Sequence, residues 1–94
     1  MGLHMKTFFE ISVYVQTDKL GQQWDTVGEN GSLDRFKPGT SQFNSPKRFD
    51  SKDKAYKYAK QTPFLVYNIV QFDPPISPSI NWRKKIVLEI GSPC

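Results

Sequence analysis

The sequence of 94 residues has few of the side chains from which catalytic and metal centres are built. It contains one cysteine, Cys94, and one histidine, His4. A single cysteine cannot form an internal disulfide, so a disulfide-stapled secreted scaffold is excluded and a reducing, cytoplasmic location is expected. Metal sites need clustered ligands, and a Ser or Cys nucleophile needs a histidine base. The sequence therefore predicts no metal site, no cofactor and no catalytic residue.

Three further absences exclude other classes of protein. No apolar run reaches the roughly 18 residues that a membrane-spanning helix needs, so no membrane partner is predicted. The six glycines form neither a phosphate-binding loop nor a dinucleotide-binding fingerprint. The nine acidic residues show no spacing diagnostic of an acid–base pair. We therefore expect that the protein is not an enzyme.

The residues that are present are sufficient for one small domain. Apolar residues make up 37% of the chain and include seven Phe, four Tyr and two Trp, which is enough for one modest core. His4 and Met5 directly before Lys6 are typical of an expression-tag remnant. Residues 1–5 are accordingly expected to be a tag remnant, and residues 6–94 a single domain.

Hydrophobic periodicity predicts four strands. Apolar and polar residues alternate over 8–16, which indicates a half-buried strand, and residues 22–27 are its expected hairpin partner. Residues 64–72 are apolar on both faces and predict a central strand. A second alternating segment at 82–90 predicts the last strand.

A helix is predicted between the second strand and the central strand. Asp50 or Ser51 caps its first turn, and Pro63 ends it near Gln61 because the residue before proline avoids the helical region. Two alanines lie on one face of this helix and lysines on the other, so the alanine face is expected to pack closely against the sheet.

The order of these elements predicts the fold class. Residues 28–48 lack regular periodicity and are expected to form a long loop, with an optional short strand at 33–37. The resulting order β-β-(β)-α-β-β predicts an α+β domain. Its architecture is expected to be an antiparallel sheet of four to five strands with one α-helix packed on a face.

Positive charge is concentrated in the middle of the chain. The net charge is +4, yet residues 35–60 alone carry eight basic residues and two acidic ones. Such a segment predicts a basic surface on the loop and the outer helix face that attracts an acidic partner. Phenylalanines between the bases are candidate anchors for a protein or stacking platforms for nucleobases. The candidate partner-binding residues are Arg35, Phe36, Lys37, Phe43, Lys47, Arg48, Lys54, Lys57 and Lys60.

Ordinary structural roles compete with this interpretation. Lysines on an outer helix face commonly serve solubility, and Phe36 is a candidate to anchor the loop on the core. Trp24 and Trp82 are expected in the core rather than on a binding surface. A smaller basic cluster follows Trp82, but strand alternation places Lys84 with Ile86 on the core side, where the lysine has to snorkel.

One segment carries a pattern seen in other small proteins. Residues Phe49 to Ala59 read Phe-Asp-Ser-x-x-x-Ala-x-x-Tyr-Ala and lead into a strand that ends at Phe72. Together with the N-terminal hairpin, this layout resembles small single-domain proteins of bacteriophages and mobile elements. Some of those bind and inhibit host machinery such as RNA polymerase, nucleases or CRISPR effectors. The resemblance implies a non-catalytic modulator or inhibitor in the host cytoplasm, although many such inhibitors are acidic whereas this chain is basic.

These observations leave three functional hypotheses. The leading one is a module that binds a larger host protein with an acidic or phosphate-lined surface through the basic loop and helix face. The alternative is a nucleic-acid-binding module that uses the same basic, Phe-interleaved surface. The third is an assembly subunit that associates with itself through an exposed edge strand.

Overall fold

The computed structural model describes residues 6–17, 21–76 and 81–92, with the backbone alone for Thr17. The expected tag remnant at 1–5 lies outside the described residues, as does Cys94. Four strands and one helix are formed, namely β1 (Phe8–Thr17), β2 (Gly21–Thr26), α1 (Lys52–Lys60), β3 (Tyr67–Asp73) and β4 (Arg83–Ile90). The described part of the chain is therefore an α+β fold with one antiparallel sheet. None of its helices is long and apolar enough to cross a membrane.

The four strands lie in the order β2-β1-β3-β4, so β1 and β3 are central. One edge of β1 pairs with β3, and the other edge pairs first with β2. Beyond β2 the same edge is continued by loop residues. The Val27 amide donates to the Ile11 carbonyl at 2.9 Å, and Phe9 and Phe49 exchange two backbone hydrogen bonds at 2.8 and 2.9 Å. The long loop therefore begins and ends on the edge of β1.

The core lies between the sheet and α1. Ile11 on β1 and Ile69 on β3 are directly opposite each other and fully buried. Ala55 and Ala59 of α1 are also buried against this cluster, since a small side chain allows a close approach between helix and sheet. Because successive strand residues alternate in direction, residues 8, 10, 12 and 14 lie on the opposite side. We call that side, which faces away from α1, the open face.

Ser51 is the N-cap of α1. Its side-chain oxygen accepts a hydrogen bond from the Lys54 amide at 3.1 Å, which satisfies one of the free N–H groups of the first turn. Asp50, the other predicted cap, instead lies 3.0 Å from the Lys54 ammonium. The helix ends at Lys60 with Gln61 as its C-cap, two residues before Pro63.

The optional strand at 33–37 does not form. Residues 28–48 are described throughout, and they make only two isolated bridges, Gly28 with Pro46 and Phe36 with Phe43. The reason is the turn that follows Phe36, where Gly39 takes a positive φ of 75° and the Lys37 amide donates to the Gln42 carbonyl at 3.0 Å. The chain reverses before a ladder can extend, so the sheet has four strands rather than five.

The central strand is shorter at its start than predicted. It begins at Tyr67 rather than at residue 64. Val66 still accepts a hydrogen bond from the Tyr14 amide at 3.0 Å, but the two residues before it lie outside the ladder. Leu65 in that segment is strongly exposed, which explains how an apolar residue could precede a central strand without joining it.

A β-bulge in β4 overturns the predicted orientation of its first half. Ile69 pairs with Leu88, but Val70 pairs with Ile86, so Val87 is an extra residue in the ladder. The bulge shifts the alternation by one residue. Leu88 packs against the core as expected, whereas Ile86 faces the open side and is mostly exposed. The prediction that Lys84 and Ile86 point toward the core is therefore wrong.

Candidate functional site

Four of the predicted binding residues meet in the outer part of the loop. Phe36 and Phe43 are bridged through their backbones, and their rings stack with centroids 5.1 Å apart. The two side chains are 42% and 64% exposed. The Arg35 guanidinium lies 5.8 Å from the Phe36 ring centroid, and the Lys37 ammonium lies 4.0 Å from a Glu29 carboxylate oxygen. We call the four residues Arg35, Phe36, Lys37 and Phe43 the loop cluster.

Lys47 and Arg48 separate onto opposite sides of the sheet. The Lys47 ammonium lies 5.1 Å from the centroid of the Tyr58 ring, on the helix side. The Arg48 guanidinium lies 4.2 Å from the Phe8 ring centroid, on the open face, and its Nε is 3.5 Å from Glu10 Oε2. Because the chain is extended where Phe49 pairs with β1, consecutive side chains point in opposite directions.

The three predicted helix lysines lie on the outer surface of α1, across the sheet from Arg48. Lys54 is paired with Asp50, and the Lys60 ammonium lies 5.3 Å from the Tyr56 ring centroid. Lys57 and Lys60 line a shallow depression of about 610 Å³ with Asp53, Tyr56 and Gln61. The structure therefore brings the loop cluster together but does not gather all nine predicted residues on one face.

A groove that the sequence did not reveal crosses the open face. It has a volume of about 470 Å³ and is lined by Ser12, Trp24, Asn68, Val70, Lys84, Lys85 and Ile86. The central strands contribute Ser12 and Asn68, which are short, and the edge strands contribute the bulky Trp24 and Ile86. The groove is concave because its edges are higher than its floor.

The floor of the groove combines the apolar Val70 with two polar side chains, Ser12 and Asn68, that have unused hydrogen-bonding groups. Asn68 is only 9% exposed, yet within the described part of the chain its side-chain amide has no hydrogen-bond partner, and neither has the Ser12 hydroxyl. The polar atoms of both side chains reach solvent, since the buried side-chain atom that lacks a partner among the described residues is the Tyr14 hydroxyl oxygen. These groups border the groove, so a bound molecule is in a position to pair with them.

Aromatic rings lie at both ends of the groove. The Trp24 ring, 43% exposed, meets the Tyr14 ring edge-on at a centroid distance of 5.3 Å. At the other end, Phe8 stacks on Phe72 at 5.0 Å and contacts Trp82 at 5.1 Å. Both tryptophans are partly exposed, so the expectation that they belong to the core is wrong.

The charges on the open face are mixed. Among the described residues, no carboxylate lies within ion-pair distance of Lys84 or Lys85. Burial raises the pKa of the Glu10 carboxyl, and the neighbouring charges of Arg48 and Lys84 only partly oppose that increase. Glu89, opposite Asn68 in the ladder, is the other carboxylate on this face. The cationic end of the groove is the end that holds Lys84.

Sequence reasoning missed the groove for an identifiable reason. The alternation in β1 predicts a strand with two different faces, but it does not indicate whether another element packs against the second face. The pattern Phe8-x-Glu10-x-Ser12-x-Tyr14 mixes aromatic and polar residues, which is unlike the uniformly polar side of a solvent-facing strand. That mixture was the available signal.

The loop cluster and the groove are the two described surfaces on which candidate binding residues come together. Within the described residues, no group of three or more His, Cys, Asp or Glu side chains is placed to hold a metal ion. The loop cluster and the groove both combine aromatic rings with cationic side chains, a combination typical of recognition surfaces. Comparison of the chain with protein-family models, with curated proteins and with solved structures found no match.

Proposed function

We propose that this protein is a non-catalytic interaction module that binds a larger protein through the loop cluster. The observation that carries the proposal is the stacked pair of exposed rings, Phe36 and Phe43, 5.1 Å apart on an ordered loop. Aromatic anchors of this kind dominate the binding energy of many protein interfaces, because they fill pockets on the partner. A phage-type modulator or inhibitor of a host protein would act in this way.

The loop that carries the cluster is held in place by Asn44. The Asn44 side-chain amide donates to the Asp34 carbonyl at 2.9 Å and to the Ser32 hydroxyl at 3.3 Å. A side chain at Gly28 would collide with Asn44, so the glycine permits this close approach. Because the loop is preorganised, less conformational entropy is lost when a partner binds.

The charge around the rings favours an acidic partner surface. Arg35 has no ion-pair partner among the described residues. The Lys37 ammonium lies 4.0 Å from a Glu29 carboxylate oxygen, and such a pair at the surface is weak. Cationic side chains at the rim of an interface mainly steer association and set specificity. The proposed partner therefore presents an apolar pocket bordered by carboxylates.

The decisive experiment is affinity capture from a nuclease-treated cell lysate with matched variants. The Phe36→Ala/Phe43→Ala double variant removes both rings. The Leu65→Ala variant removes an apolar side chain elsewhere that is even more exposed than the two rings, and it serves as the control. We expect one protein to be retained by wild type and by Leu65→Ala and lost from the double variant, with about 2 kcal/mol or more of binding energy lost in calorimetry with the purified partner.

Two results would overturn the proposal. If the double variant captures the same protein as wild type, the rings are not the anchor. If nuclease treatment removes all captured material, the loop binds nucleic acid instead. Circular dichroism of each variant establishes that the fold is retained before the capture results are compared.

A further inference from the structure

We infer that the groove on the open face binds a single strand of nucleic acid, with Trp24 stacking on a base and Lys84 and Lys85 contacting phosphates. This surface lies on the side of the sheet opposite α1, and the inference does not depend on the partner proposed for the loop cluster. It is carried by three features of the groove that point to the same ligand, namely its aromatic ends, its unpaired polar floor and its unpaired lysines.

The aromatic ends account for the binding of bases. Trp24 is held edge-on to Tyr14 at 5.3 Å and remains 43% exposed, so much of its surface is free for contact. Every nucleobase has a flat face that stacks on such a ring, whatever the sequence. Trp24 is not exposed in isolation, because it lines the groove together with Ile86, which is also exposed.

The floor between the ends accounts for contact with base edges. Asn68 is nine-tenths buried, lines the groove and has an unpaired amide. An amide presents a donor and an acceptor side by side, as does the edge of a base. A nucleobase placed over Ser12 and Asn68 would supply hydrogen-bond partners for their side chains, which have none within the described part of the protein.

The length of the groove favours a strand over a single nucleotide. Trp24 pairs with Tyr14 at one end of β1, and Lys84 pairs with Phe72, which is opposite Phe8. Six residues of strand separate these positions, a distance of roughly 20 Å. One nucleotide does not reach from the Trp24 ring to Lys84, whereas a few linked nucleotides do, and Trp82 offers a second ring beyond Lys84.

The carboxylates on the open face do not block this path. Glu10 is paired with Arg48, whose Nε lies 3.5 Å from Glu10 Oε2. Glu89 lies on the edge strand opposite Asn68, five residues along β4 from Lys84. At the Lys84 end of the groove, basic side chains outnumber carboxylates, because Arg83 and Lys85 are the neighbours of Lys84 in the chain.

The test measures binding of fluorescently labelled eight-nucleotide single strands of mixed sequence, as DNA and as RNA, by anisotropy. We expect Trp24→Ala to weaken the affinity by about 10-fold or more, and Trp24→Phe to restore most of it because a ring is kept. In a Trp82→Phe background Trp24 is the only tryptophan, and we expect its fluorescence to be quenched when the oligonucleotide stacks on it.

The matched charge control is Lys52→Ala, which removes one exposed lysine from α1. Lys84→Ala should weaken binding and reduce the slope of log affinity against log salt by about 0.7, whereas Lys52→Ala should leave both within about twofold of wild type. Equal effects of the two lysine variants would mean general cationic attraction and would overturn the inference.

Three further outcomes also overturn it. These are absence of measurable oligonucleotide binding, unchanged affinity of Trp24→Ala, and competition by adenosine monophosphate as effective as that by the unlabelled strand. Equal affinity for the corresponding duplex contradicts a stacking mode, since paired bases do not expose their faces. Preference between the DNA and RNA strands identifies which of the two the groove accepts better, and tighter binding of either supports the inference.

Discussion

Glu10 is the residue whose environment most clearly departs from that of an ordinary surface side chain. It lies on the open face, nearly buried, with Arg48 Nε 3.5 Å from its carboxylate. Burial raises the pKa of its carboxyl above the ordinary value for a glutamate, and the opposing effects of Arg48 and Lys84 are smaller. The folded protein therefore holds a proton on Glu10 more readily than the unfolded chain does.

The raised pKa of Glu10 predicts that the free energy of unfolding decreases as the pH rises. Where the folded state binds more protons than the unfolded state, stability decreases with increasing pH, from the unfolded pKa up through the raised folded pKa. Glu10→Gln cannot ionise, so it should be more favourable relative to wild type at neutral pH than at acidic pH. Urea unfolding of both proteins at the two pH values measures the difference.

Glu29→Gln is the control for that comparison. Glu29 also lies near a lysine, but its side chain is mostly exposed. Glu29→Gln makes the same chemical change at an exposed position. If Glu10→Gln gives no larger pH-dependent difference than Glu29→Gln, or a difference of opposite sign, burial is not what governs Glu10.

At the scale of elements, α1 depends on its N-cap. The sequence offers Asp50 and Ser51 as candidates for the N-cap. In the structure, Ser51 accepts the hydrogen bond from the Lys54 amide. A nine-residue helix is too short to be stable by itself in water, so both the cap and the contact with the sheet matter. The sequence identifies the candidates because few residue types act as N-caps. Which of the two candidates caps the helix depends on the direction of the backbone at its first turn.

Ser51→Ala should lower the free energy of unfolding by about 1 kcal/mol. The lost interaction is the hydrogen bond to the Lys54 amide, which is then satisfied by water alone. Ser41→Ala, at an exposed loop position, is the matched control and is expected to change stability by less than about 0.5 kcal/mol. Similar losses for both variants, measured by urea unfolding, would show that the cap is unimportant.

The register of β4 on either side of its bulge decides which of its side chains line the groove. In the wild-type chain Val87 is an extra residue, so Ile86 and Leu88 lie on opposite faces. Sequence alternation put both on the same face, because a bulge leaves no mark in the hydrophobic pattern. The shift places Ile86 and Lys84 on the open face, where they form one wall of the groove.

Deletion of Val87 should remove the bulge but keep the groove. Without it, Leu88 and Ile86 become neighbours in a regular ladder and still face opposite sides. The loss of the half-buried valine should cost about 1–2 kcal/mol of stability. A cross-strand nuclear Overhauser effect between Val70 and Ile86 checks the pairing, and its absence in a folded variant would contradict the assigned register.

At the scale of the whole molecule, one short helix covers one face of a four-stranded sheet. The helix face therefore holds the core around Ile11 and Ile69, while the other face carries the groove. Arg48 lies on the open face and the helix lysines on the far side of the molecule, so the basic middle segment does not act as one surface. Charge that is contiguous along the chain is divided in space by the sheet.

The two proposed surfaces should therefore act independently. Mutations at separated sites without shared contacts usually have additive effects. We expect Phe36→Ala/Phe43→Ala to leave oligonucleotide affinity within about twofold of wild type, and Trp24→Ala to leave capture of the protein partner unchanged. Anisotropy and capture on the same two variants test this, and a loss of both activities in either variant would indicate one shared site or a damaged fold.

Local patterns in the sequence place the main elements, because hydrophobic period, capping residues and proline act over a few neighbouring positions. They predict the α+β class, the helix at its observed place and the pairing of β1 with β2. Tertiary packing sets which sheet face is covered, which face Ile86 occupies and on which side of the sheet Arg48 lies. Those outcomes depend on register, on a bulge and on the single helix available to cover the sheet, and none of these is recorded in local residue patterns.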